Sequence, residues 1–349
     1  PQTLFFNPQG GTMKFTRSAK FALATAASAA LAFTLLTPAQ AASRSTVILH
    51  ETNSITGLNC SLSATNSTTC SAVSYLQGAG FNYYNNKKEL VKNTVFGSYK
   101  IVKNTATDFR TQWTVNPGRV WSDGTPITGE DLLLSHILSS DAYSKAAGLG
   151  DPTDKKTPPA FNGLGYSGVY ANNIVGEPVL SADKMSVTLQ FKKKIANWDL
   201  YGPGPAPVHT LVLMAEGKDK LGTVAENEAA RDRFVKAFKE KDTALLTKMG
   251  KVWTNDYTIT TVNDKTNPLL LVGNGGFLID NAVAKTSVTL KKNPKYNSGP
   301  ALSGSVDTVV FKFIGDGTAA AQALANGELD VYAGQATADG VAKLKAIKG

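Results

Sequence analysis

The residues able to do chemistry are few and scattered. Histidine occurs three times, at His50, His136 and His209, with no H-E-x-x-H spacing to set two imidazoles on one helix face for zinc. Cysteine occurs twice, at Cys60 and Cys70, inside the Ser/Thr/Asn-rich stretch NCSLSATNSTTC. Two thiols without a histidine cluster make a poor metal site, so no metal is expected. In an oxidising compartment the same pair can close a small loop. No G-x-S-x-G turn exists to present a serine nucleophile, since Gly165-Tyr166-Ser167-Gly168 lacks the final spacing. No phosphate-cradling G-x-x-x-x-G-K-[ST] loop is present, and Gly273-x-Gly275-Gly276 is too loose for a dinucleotide fingerprint. Carboxylates abound, but nothing in the sequence pairs two of them for glycosidase work. The pattern favours a binding protein with no cofactor over an enzyme.

A binding surface needs a scaffold. The chain has 349 residues, of which 42% are hydrophobic and 18% charged. That length allows about two domains and a sizeable core. The composition excludes wholesale disorder, and no collagen period, long heptad run or second long apolar stretch appears. Lys14, Arg17 and Lys20 sit in an acid-free N-terminal segment; without them, 33 basic residues face 27 acidic ones. The remaining lysines are scattered, with Lys192-Lys193-Lys194 the densest cluster and no aromatic interleaving, which argues against a nucleic-acid partner.

The N-terminus reads as an export address. Met13 opens a basic stretch, Phe21 to Leu36 is apolar, and Ala39-Gln40-Ala41 has the form that signal peptidase accepts. Cleavage is expected after Ala41. The alternative is a membrane anchor, for which a run of about 16 residues is short. No cysteine follows the cleavage site, so a lipid anchor is not indicated. Residues 1–12 read as an upstream or cloning-derived remnant. The mature protein is expected to be periplasmic, extracellular or cell-surface associated.

Periodicity then places the elements. Thr46–His50, Thr111–Val115, Met185–Phe191 and Thr308–Ile314 read as strands, and Phe277–Asp280 with Thr286–Lys291 as a hairpin. Thr128 and Asp131 form a capping-box start for a helix running to about Ser140. Residues 141–170 read as an irregular surface loop. Residues 225–249 read as one helix, with Ala230, Phe234 and Phe238 on its core face, Glu228, Arg231, Lys236 and Glu240 on its wet side, and Gly250 closing it. Thr318–Ala325 reads as a helix between the strand at 308 and a short strand Leu329–Tyr332, a parallel α/β unit, with a last helix from Ala338.

The order of these segments resembles the extracellular solute-binding protein family 5, the peptide-, dipeptide- and nickel-binding components of ABC importers. Trp113-Thr114-Val115 leads to Val120–Asp131, similar to the family's W-S-D-G-T-P-h-T-A-x-D signature with Gly129 in place of Ala. Asp183–Leu189 is similar to its D-x-x-T-V-x-h-x-L, and Gly273–Phe277 to its G-T-G-P-Y or N-G-A-Y segment. Asn293–Tyr296 and Asn326–Val331 are similar to N-P-x-Y-W and S-G-E-I-D, with Asn297 where the Trp usually stands. The resemblance covers residues 45–345, and family members are typically much longer.

The resemblance implies an α/β, two-lobed periplasmic-binding-protein-like fold (type II, cluster C) with an incomplete second lobe. Its first lobe would span 42–272, with an inserted subdomain at about 72–178, and its second would open at 273–349. It also implies a monomer that closes on a peptide or small-molecule ligand and is read by an ABC permease with separate ATPase subunits. Glu51, Thr52, Asn53 and Ser54 would line the cleft, or form a plain strand–turn loop. Gly273 to Phe277, hence Asn274, Gly275 and Gly276, would be the crossover between lobes, or an ordinary turn. Trp198 and Tyr201 would floor the cleft, or pack as core aromatics. Trp121 and Asp123 are structural, the ring in the core and the carboxylate holding the turn. A secreted α/β hydrolase-type enzyme without recognisable motif and a surface adhesion or sensory binding module are the alternatives.

Overall fold

The computed structural model describes residues 45–154, 156–334 and 338–347. The expected remnant at 1–12 and signal peptide at 13–41 lie outside the described residues. In chain order the strands are β1 (Thr46–Glu51), β2 (Asn82–Tyr84), β3 (Leu90–Lys92), β4 (Gly97–Asn104), β5 (Phe109–Val115), β6 (Val179–Leu180), β7 (Ser186–Phe191), β8 (Phe277–Val283), β9 (Ser287–Lys292) and β10 (Thr308–Phe313). The helices are α1 (Thr68–Gln77), α2 (Leu134–Ile137), α3 (Asp141–Ala146), α4 (Val169–Asn173), α5 (Val208–Ala215), α6 (Val224–Glu240), α7 (Thr243–Lys251), α8 (Gly317–Ala325) and α9 (Ala338–Ala346). Among the described residues no helix is long and apolar enough to cross a membrane.

Two four-stranded sheets organise the chain, each over its own hydrophobic core. The middle of the sequence builds an antiparallel sheet in the order β4-β5-β7-β6. In β5 the alternation FRTQWTV buries Phe109, Thr111, Trp113 and Val115 and leaves Arg110, Gln112 and Thr114 half-buried, the period-2 signature of a strand with one face on a core. Its core runs from Phe81 to Leu269 in sequence and takes Trp113, Trp121, Leu132 to Leu134, Phe161, Phe191, Phe234 and Phe238.

The two ends of the sequence build the other sheet, β1-β10-β9-β8. β1 pairs with β10 in parallel, Thr46 opposite Thr308 through Glu51 opposite Phe313, while β10–β9 and β9–β8 are antiparallel. Its core joins Ile55, Cys70 and Val73 to Phe277, Ile279, Val288, Leu290, Val309 and Phe311.

The chain returns to its first strand through β10, and Ser45–Gly349 clusters as one compact unit. α1 places Cys70 and Val73 in the end-built core, and the other core takes residues from Phe81 onward.

Local differences have local causes. The helix read at 225–249 is two helices. Lys241 adopts φ +55°, and Asp242 caps α7 by accepting from the amides of Ala244 and Leu245. Gly250 does not end that helix; it lies inside α7, where an added Cβ would stand 2.7 Å from the Ala160 backbone. The capping box of Thr128 and Asp131 forms as expected but heads a 3-10 turn, Gly129–Leu132, that passes into the short α2. The stretch 141–170 is not wholly surface loop: it contains α3, and Tyr143 and Phe161 are buried. The strand read at 329–332 reduces to one parallel bridge, Val331 to Leu49, on the free edge of β1.

Candidate ligand-binding site

The W-S-D-G segment is the first place to look for chemistry. Asp123 Oδ1 accepts from the Thr125 amide at 2.9 Å, closing a turn in which Gly124 sits at φ +97°. Its Oδ2 accepts from Asn227 Nδ2 at 3.1 Å and lies 2.8 Å from His209 Nε2. Burial pushes the Asp123 carboxyl up, but the hydrogen bond and charge of His209, with the Thr125 bonds, bring it below the ordinary carboxylate value. A Ser-His-Asp relay needs a hydroxyl on the other ring nitrogen. His209 Nδ1 is instead buried without a hydrogen-bond partner, and both side chains are sealed, at 0% and 2% exposure. Trp121 packs in the same core, 6.4 Å from the His209 ring. Ring and carboxylate are thus structural, as the sequence indicates.

Beside this turn lies an ionic cluster that periodicity hides. Arg231 falls on the polar side of α6 in a helical count, yet it is 5% exposed. Its Nε stands 3.1 Å from Glu130 Oε2 and its Nη1 3.4 Å from Asp131 Oδ2. Lys184 Nζ reaches Glu130 at 3.0 Å and Asp232 at 2.8 Å. Burial pushes the Asp131 carboxyl up to about 6 despite the Arg231 guanidinium. These groups fix the 3-10 turn to α6 and to the β6–β7 turn. A cavity of about 530 Å³ opens beside them, lined by charged side chains that include Glu130, Lys184, Asp232 and Lys236.

The segment Gly273–Phe277 makes the close backbone approach that its glycines suggest, but to the protein itself. Asn274, 2% exposed, accepts from the Ala79 amide at 3.0 Å and donates to the Ala79 carbonyl at 2.9 Å. The Gly275 amide donates to Gln77 O at 2.8 Å, and Asn293 Nδ2 donates to Gly275 O at 2.9 Å. Gly276 O accepts from the Asn293 amide at 2.8 Å, and the Phe277 ring is buried in the end-built core. The Asn274 side chain and the Gly275 main chain are thus tied to Ala79, to Gln77 at the end of α1 and to Asn293. Glu51, at the end of β1, likewise accepts from Thr69 Oγ1 at 3.1 Å, tying the first strand to α1. Thr52 and Ser54 are half-buried and Asn53 exposed in the loop that follows. Trp198 packs edge-on against Tyr99, Phe109 and Trp113, with centroids 5.6 to 6.1 Å away, as a half-buried core aromatic.

Tyr201 and the cysteine loop meet at one place. Cys60 and Cys70 are bonded, with Cα atoms 5.6 Å apart, which pins the loop between them. Leu62 pairs with Gly163 in an antiparallel bridge, and the Leu164 amide donates to Ser61 O at 3.0 Å. Opposite, Ser135 Oγ donates to Gly204 O at 2.9 Å, and Gly202 lies against the Trp113 ring so closely that an added Cβ would stand 2.2 Å from Cη2. These contacts frame a cavity of about 420 Å³, whose lining includes Cys60, Ser61, Asn66, Ser139, Tyr170 and Tyr201. Its volume and its mixture of aromatic, aliphatic and neutral polar groups suit a small-molecule site. Burial pushes the Tyr170 phenol up, and its oxygen lies 2.9 Å from His136 Nδ1. Of the expected residues, only Tyr201 and Cys60 come together here. The serines and Asn66 carry no periodicity that would have singled them out.

The chain belongs to the bacterial extracellular solute-binding proteins, family 5. That family's sequence model, described as "family 5 Middle", matches residues 104–349. The fold is the mixed α/β fold of periplasmic binding proteins of this type. The periplasmic EDTA-binding protein EppA is similar to it at 20% identity and TM-score 0.57, over 86% of this chain and 46% of that one. AppA, the oligopeptide-binding protein of Bacillus subtilis solved with a nonapeptide, is similar at 15% identity and TM-score 0.55, over 86% and 46%. The oligopeptide-binding protein of Thermus thermophilus solved with a pentapeptide is similar at 16% identity and TM-score 0.53, over 82% and 44%. The chain therefore spans less than half the length of these solved relatives. No curated protein sequence matched it.

Proposed function

We propose that the chain is part of an exported substrate-binding protein of an ABC importer. It captures a peptide or related small solute and hands it to a membrane permease driven by separate ATPase subunits. Membership of the solute-binding family supports the general role, and the cavity between the disulfide loop, residues 163–165 and residues 200–203 is the observation that carries the site. Two solved relatives of this fold are oligopeptide-binding proteins by name, which favours a peptide over an unrelated solute.

The mechanism needs no bond-making residue. A ligand seated against Tyr201 and the loop of Cys60 is half-enclosed. In the two-lobed reading, the opposing lobe covers it. Because the ligand touches both lobes only when they are closed, its differential affinity shifts the population toward the closed form that the permease reads. The peptide backbone would add to exposed main chain much as a strand does. Protein purified as a monomer from its host without unfolding, and examined by native mass spectrometry, should release a small-molecule adduct on mild activation. Ligand-free protein whose tryptophan fluorescence ignores a mixture of tri- to nonapeptides would overturn the reading.

A further inference from the structure

The 530 Å³ and 420 Å³ cavities differ in one respect that bears on what the site accepts. The 530 Å³ cavity is ringed by ionised side chains from the Glu130–Lys184–Asp232 cluster. The 420 Å³ cavity at Tyr201 has none: among the described residues lining it there is no Asp, Glu, Lys, Arg or His. Its polar groups are neutral. The hydroxyls of Ser61 and Ser139 have no hydrogen-bond partner among the described residues, and Asn66 uses its amide nitrogen on Cys60 O at 3.0 Å, leaving its side-chain oxygen free. Leu138, Leu200 and the Tyr201 ring supply the apolar wall.

We propose that this cavity selects the ligand group it holds by charge. It accepts an uncharged amide- or hydroxyl-bearing side chain on an apolar stem and rejects carboxylates and ammonium groups. The inference rests on the solute-binding reading above. The cavity is half open, with Ser61, Asn66, Leu164 and Leu200 exposed, so a carboxylate or ammonium seated in it gives up part of its water and meets no counter-charge from the lining, a loss that neutral hydroxyls and one carboxamide do not offset. A carboxamide of the same shape gives up less and finds both donors and acceptors in Ser61, Ser139 and Asn66.

The test is calorimetric titration of the full chain at neutral pH with three tripeptides, Ala-Gln-Ala, Ala-Glu-Ala and Ala-Lys-Ala. Gln and Glu are nearly isosteric, so their difference isolates charge. Ala-Gln-Ala should bind at least about tenfold more tightly than either charged peptide, the scale set by an uncompensated partly buried charge. Ser61→Asp, at an exposed position whose main chain alone makes the structural contacts, should shift the preference toward Ala-Lys-Ala by several-fold. Equal affinities for all three peptides in the parent protein would overturn charge selection while leaving solute binding intact. No change of preference in S61D would show that Ser61 does not face the ligand and overturn the assignment to this cavity. Failure of all three to bind would bring down the peptide reading and this inference with it.

Discussion

Nε2 of His209 stands 2.8 Å from Oδ2 of Asp123, a contact between residues 86 positions apart that locks the W-S-D-G turn onto α5. Asn227 of α6 donates to the same oxygen and to Thr125, so one carboxylate holds a turn and two helices together. The family signature is therefore a packing device in this protein, and its residues face inward.

Asp123→Ala should accordingly destabilise without touching a ligand. It strips His209 and Asn227 of their shared acceptor inside the core, at a cost of about 3 kcal/mol, with Asp123→Asn costing less. Urea denaturation at neutral pH should show a lower midpoint at unchanged slope. A loss below about 0.5 kcal/mol would contradict the role assigned to the pair.

Arg231 is the second inward charge. Arg231→Ala leaves Glu130 without its guanidinium and Asp131 without its attraction, and should cost about 3–5 kcal/mol, the scale for breaking a buried pair from one side. Lys236→Ala on the exposed face of the same helix should change stability by less than about 0.5 kcal/mol. Parallel urea curves for the two variants make the comparison.

Asp131 should leave a signature in the pH dependence of stability. Its carboxyl is pushed up to about 6, so the folded protein holds this proton more tightly than the unfolded chain does. Between the ordinary carboxylate range and about 6, the group therefore costs stability as pH rises. Asp123, held low, works in the opposite sense: its contribution is present at neutral pH and is lost as pH falls below the ordinary carboxylate range. Asp131→Asn removes the first effect alone. Unfolding free energies of this variant, measured against the parent at pH 4 and pH 7, should improve toward pH 7 by up to about 3 kcal/mol. A difference that stays flat across that range would show that Asp131 titrates alike in both states.

Gly275 is where backbone contact leaves no room. An added Cβ would stand 2.2 Å from Leu76 O and 2.3 Å from Gln77 C, so Gly275→Ala must displace main chain at the end of α1. Its cost should reach several kcal/mol, the scale of a strained close contact. Gly204→Ala meets nothing within 4 Å and should be close to neutral. Thermal melts of the two variants should separate clearly; equal melting temperatures would contradict the tight crossing.

The bond between Cys60 and Cys70 closes a ten-residue separation. Replacing both cysteines by serine should cost about 2–3 kcal/mol through the freed unfolded chain. It should also loosen a wall of the Tyr201 cavity. The oxidised protein should show no reactive thiol to a thiol reagent until reductant is added.

Local pattern made much of this structure legible. β5 and β7 show their alternation openly, the β8–β9 hairpin sits between its turn residues, and the capping box of Thr128 forms. What the sequence could not show is which distant pieces meet. Thr46–Glu51 carries no mark of its pairing with Thr308–Phe313. Arg231 illustrates the same gap on a smaller scale: helical periodicity sees a charged residue, not the two carboxylates that draw it inward. The cavity escaped for a related reason, since it is framed by serines, glycines and an asparagine from five stretches of chain, none of them remarkable alone.

The parallel ladder between Thr46–Glu51 and Thr308–Phe313 also sets a timetable. During synthesis the opening strand has no mate until some hundreds of residues later, so its sheet cannot zip up on the ribosome before nearly all of this unit has emerged.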